Sequence, residues 1–61
     1  MSEKEMNQKN IEEFSRLQDY MEVTEKNTEA YRRMKKRYLE LKVILNDAGV
    51  NLTQIDFIGE S

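Results

Sequence analysis

Two stripes of apolar residues at helical spacing, separated by six residues with none, leave this chain very few ways to fold. Met6, Ile11, Phe14, Leu17 and Met21 form the first stripe. At about 100° per residue they fall within an arc of roughly 140°, while Glu12, Glu13, Arg16, Asp19 and Glu22 lie mostly outside it. Tyr31, Met34, Tyr38, Leu41, Leu45 and Ala48 form the second stripe, alternating three and four apart as the a and d positions of a heptad seam do. Between them, Thr24-Glu25-Lys26-Asn27-Thr28-Glu29 is wholly polar and rich in poor helix formers.

The ends of these segments carry their own signals. Ser2-Glu3-Lys4-Glu5 has the spacing of a capping box. Thr28 followed by Glu29 reads as an N-cap with an acid in the first turn, where the helix dipole favours it. Gly49 suits the left-handed residue that closes a helix, with Val50 placed to contact Leu45. Asn51 is then a cap for a third, short element, with Gln54 at the capping-box position and Val50 and Ile55 at the staple positions. Leu52, Ile55 and Ile58 share one face of it, with Phe57 beside them.

The expected fold is all-α: an antiparallel helical hairpin with arms at about 3–23 and 28–48, plus a short C-terminal helix or turn at about 52–58. Residues 1–61 make one small helical domain, with 1–2 and 59–61 frayed. The alternative is one long helix of about 68 Å in a coiled-coil oligomer. No glycine or proline forces a bend at mid-length. The polar gap nevertheless falls where a coiled coil would place apolar residues, which favours the hairpin.

A 61-residue chain buries only about 60% of the surface its unfolded form exposes. Such small domains are usually reinforced by disulfides, a metal, regular helix packing or a second copy. Cysteine and histidine are both lacking, which removes disulfides, thiolate chemistry, the commonest metal ligand and the commonest general base. Self-association, as a homodimer or higher homo-oligomer, is therefore expected. The longest apolar run, Val43-Ile44-Leu45, is too short for a membrane span or a signal peptide. A cytoplasmic protein without membrane contact is expected.

The net charge of −2 conceals three blocks. Residues 1–29 hold eight acids and four bases, residues 30–45 six bases and one acid, and residues 46–61 three acids and no base. The simplest use of the basic block is to guide an acidic first helix alongside a basic second one. A sharper use is contact with phosphate or an acidic partner through Arg32, Arg33, Lys35, Lys36 and Arg37, flanked by Tyr31 and Tyr38. A pI of 5.1 weighs against nucleic acid, and both tyrosines lie on the seam.

Paired acids such as Glu12/Glu13 and Glu22/Glu25 invite a catalytic reading. Such a site needs burial and a cleft, which two or three short helices scarcely provide. Phosphate loop, calcium loop and nucleophile elbow are missing from the sequence. Asn51-Leu52-Thr53 matches the glycosylation sequon and is read as chance. The expectation is a protein that is not an enzyme and takes neither metal nor cofactor.

Leu39, Val43 and Ile44 lie off the main seam, so the second helix is apolar on more than one side. Together with Leu52, Ile55, Phe57 and Ile58 they form the expected partner-binding surface, shared between a folded-back tail and a second protein or protomer. The expected function is a small helical interaction module that binds and modulates a larger protein, as a regulator or inhibitor. Its size, acidity and helical character are those of many small regulatory and mobile-element proteins, phage inhibitors and antirepressors among them. This is a likeness of class only. The alternative is a nucleic-acid-binding regulator that uses residues 32–37.

Overall fold

The computed structural model describes residues 2–60; Met1 and Ser61, both expected to fray, lie outside the described residues. Two helices, α1 (Glu3–Glu22) and α2 (Glu29–Asp47), pack against each other, and a single 3-10 turn, Leu52–Gln54, follows them. The longest dimension is 37 Å, far short of the ~68 Å of one continuous helix. The hairpin is therefore the fold.

The caps explain where each helix begins. Ser2 is extended and its Oγ accepts the Glu5 N–H at 3.2 Å, with Glu3 and Glu5 in the first turn. Thr28 caps α2 in the same way, accepting the Tyr31 N–H at 3.2 Å. Between the helices the chain reverses with neither a glycine nor a positive φ. Threonine hydroxyls take the place of a special backbone angle. Thr24 Oγ1 donates to the Tyr20 carbonyl at 2.6 Å, and Thr28 Oγ1 to the Glu25 carbonyl at 2.7 Å. Each adds a second bond to a carbonyl that already accepts a backbone N–H, from Val23 at 3.2 Å and from Thr28 at 3.3 Å.

The seam closes on Phe14, Met21, Tyr31, Tyr38, Leu41 and Leu45, all buried. Ile11, Leu17, Met34 and Leu39 pack against this cluster from its margins. Phe14 and Tyr38 stack with ring centroids 5.3 Å apart and planes 7° from parallel, a contact worth about 0.5–1.5 kcal/mol beyond its buried area. Met6, at the start of the first stripe, stays exposed. The second stripe supplies most of the core because α2 faces both α1 and the tail.

Gly49, at φ +83°, ends α2. The Val50 N–H reaches the Leu45 carbonyl at 3.0 Å and the Gly49 N–H reaches Asn46 at 3.0 Å, the paired bonds of a Schellman closure. Asn51 Oδ1 then accepts the Thr53 N–H at 3.1 Å and starts the 3-10 turn. Of the short helix or turn expected at about 52–58, the helical part is this 3-10 turn, which stops at Gln54. Beyond it, residues 55–60 are irregular backbone, and hairpin side chains bind the N–H groups of Phe57, Ile58 and Glu60 and the carbonyls of Ile55 and Glu60. Several hairpin side chains bind Glu60, which the sequence placed in a frayed end.

Candidate functional site

The tail returns from Gly49 towards the interhelical turn and is gripped by six hairpin side chains. Gln18, on the buried face of α1 between Phe14 and Met21, has no exposed surface at all. Its amide reads the tail backbone. Nε2 donates to the Ile55 carbonyl at 2.9 Å, while Oε1 accepts the N–H groups of Phe57 at 2.9 Å and Ile58 at 3.0 Å. The remaining donor points at the carbonyl of Phe14, 3.4 Å away. One side chain thus does for the tail what a neighbouring strand would do.

Asp56 is the second point of attachment. Tyr38 donates its hydroxyl to Oδ1 at 2.6 Å, the Gly59 N–H reaches the same oxygen at 2.9 Å, and Lys42 Nζ lies 2.9 Å from Oδ2. Burial pushes the Asp56 pKa up, but the Tyr38 hydroxyl, the Gly59 N–H and Lys42 together hold it below the ordinary value. Lys42 is pushed up, chiefly by its hydrogen bond to Asp56. Burial, followed by the bond to Asp56, raises the Tyr38 hydroxyl above its usual value. Lys42 also sits 5.2 Å from the centroid of the Tyr38 ring, within cation–π range.

Glu60 closes the grip. Its backbone N–H donates to Tyr38 Oη at 3.0 Å, and its carbonyl accepts from Lys42 Nζ at 2.7 Å. Its carboxylate meets Lys35 at 3.2 Å, the Tyr31 hydroxyl at 3.3 Å and Lys26 at 3.8 Å. The hydrogen bond from Lys35 is the main reason its pKa falls. Among the described residues no buried side-chain nitrogen or oxygen lacks a partner.

This network revises the expected role of the charge blocks. One ion pair joins α1 to the basic block, that of Arg37 with Glu13 at 2.8 and 3.1 Å. It lowers the Glu13 pKa, chiefly through the hydrogen bond. Arg37 also meets Glu40 at 3.2 Å on its own helix. Lys35 and Lys42 turn instead to the acidic tail. The block therefore guides the tail more than it guides α1. Arg32, Arg33 and Lys36 face solvent, Arg33 within 3.3 Å of Glu29. By helical spacing these three share an arc of about 100° away from the core, so the five basic residues do not form one continuous contact surface.

The expected partner surface also divides. Leu39, Leu52, Ile55 and Ile58 are partly buried against the core. Val43, Ile44 and Phe57 remain out, at 61%, 41% and 53% exposure. Phe57 forms one wall of an open depression of about 460 Å³ near the interhelical turn, with Met21, Tyr31 and Lys26 among its other walls.

Gln18, Asp56 and Glu60 escaped the sequence reading as site residues. Gln18 had a signal: it lies four residues after Phe14 and three before Met21, inside the apolar stripe. Asp56 and Glu60 had only their sign, opposite to that of Lys35 and Lys42. Among the described residues no helix is long and apolar enough to cross a membrane. The chain matches no protein-family model, curated protein or solved structure.

Proposed function

We propose that the chain is a small helical interaction module that binds and modulates a larger protein. The observation that supports this best is the exposure of Val43 and Ile44 on a hairpin whose other large aliphatic residues on α2 are at least partly covered. They lie about 100° apart around α2 and project from the side away from the core. Burying each against a partner would contribute on the order of 1.5–3 kcal/mol. Phe57, at the opposite end of the tail, is a separate anchor with two rotatable bonds and a broad apolar face.

The test is binding of a purified partner, first recovered with the full chain and then titrated with variants. Val43→Asp/Ile44→Asp is expected to abolish binding at physiological salt, and binding to the wild type to persist as salt rises. A purified partner that bound this double variant unchanged would rule out the α2 surface.

A second reading, a nucleic-acid-binding regulator, draws on the solvent-facing Arg32, Arg33 and Lys36. It predicts binding to duplex or single-stranded nucleic acid that falls steeply with salt and disappears in Arg33→Glu/Lys36→Glu. No retention of the wild type by either probe at low salt would dismiss it.

A further inference from the structure

The tail is held as a bound peptide is held. Its recognising groups lie on the two helices (Gln18, Tyr31, Lys35, Tyr38 and Lys42) and, for Lys26, on the turn between them, and the groups they recognise all lie within residues 55–60. Gln18 reads backbone, Lys42 and Tyr38 read the carboxylate of Asp56, and Lys35 with Tyr31 reads that of Glu60. The linkage between receptor and ligand is a short turn at residues 48–51 that pivots on Gly49 at φ +83°.

We infer that this groove accepts the tail of a second copy, so that two chains form a dimer by reciprocal exchange of residues 50–60. This builds on the interaction-module reading but uses a different surface from Val43 and Ile44, so either can fail alone. A second copy is the chosen occupant because its tail carries every recognised group in the required order. Exchange would reproduce each of these contacts in trans and change only the turn, which makes it a low-cost route to a symmetric dimer. The short tether gives the tail in its own groove an effective concentration of roughly millimolar. The unexchanged monomer therefore dominates in dilute solution, and exchange emerges where closure within one chain is weakened.

Complementary charge reversals in the full chain test this. Lys42→Glu sets the groove of one chain against its own Asp56, and Asp56→Lys sets the tail of another against its own Lys42. Within each variant the pair is like-charged; across the two chains both pairs become opposite. The expected result is a monomer for each variant alone and a 1:1 dimer mass by light scattering when they are mixed at about 100 μM, below the millimolar tether. The doubly reversed chain Lys42→Glu/Asp56→Lys, which restores the pair internally, is expected to be monomeric and to add to neither.

A mixture that stays monomeric overturns the proposal. So does persistent protection of the Phe57 and Ile58 amides in both single variants, because the tail would then not be released by the loss of this pair. If either reversal loses its helical circular dichroism, the milder pair Asp56→Asn and Lys42→Met is mixed and read in the same way.

Discussion

Gln18 is the residue on which the tertiary structure turns. A buried amide is stable only if its donors and acceptor are met, and here three of its bonds go to the tail. Gln18→Leu keeps the side chain's approximate size and removes every bond. It would leave two N–H groups and one carbonyl unpaired in the folded tail, a loss of about 3 kcal/mol in chemical denaturation. Whole domains of this size have only roughly 3–9 kcal/mol. Tyr38→Phe is the gentler comparison, because the ring stack on Phe14 survives and only the hydroxyl is lost. It is expected to cost about 1–2 kcal/mol. Equal costs for the two would mean that the backbone bonds of Gln18 add little beyond an ordinary polar contact.

At the level of elements, the hairpin and the tail differ in how far they were legible beforehand. Periodicity placed both helices within a residue or so at each end, because an apolar stripe and its caps are local signals. The turn was placed by what it lacks, and of the two threonines that build it Thr28 was recognisable as a cap. The tail was harder. Its capping residues pointed to a short helix or turn over about 52–58; a 3-10 turn forms at Leu52–Gln54, and beyond it Gln18 supplies the hydrogen-bond partners. No local rule foretells a partner 37 to 40 residues away. The grip at Glu60 was missed for the same reason. Gly49 gives a prediction at this scale. A Cβ there would meet no neighbouring atom within 4 Å, so Gly49→Ala tests backbone conformation alone. The expected cost at φ +83° is about 1–2 kcal/mol, read from the denaturation midpoint, with the helical signal unchanged.

The whole molecule balances its charge through the tail, and this sets its response to pH. Glu13, Asp56 and Glu60 have folded pKa values below the ordinary 4.5, 3.8 and 4.5. Their contributions are complete above those ordinary values and are lost as pH falls through the lower folded ones. Lys42 is raised above 10.5, and Tyr31 and Tyr38 above 10.0. Those contributions are complete below the ordinary values and are lost as pH rises through the raised ones. The chain holds no histidine, and none of these shifts falls near neutrality. Stability is expected to be flat from about pH 5 to 9 and to decline on both sides, as thermal melts across the range would show. A marked step near pH 6.5 would contradict this distribution of charge.

The central claim, that the tail is an integral part of the hairpin's core, is tested most directly by native-state amide exchange. The N–H groups of Phe57 and Ile58 end on a fully buried side chain. They should exchange only when the whole domain unfolds, with the same opening free energy as amides at the centre of α2. Exchange of these two amides at the rate of an unstructured peptide, while α2 stays protected, would show that the tail opens on its own and that Gln18 does not clasp it.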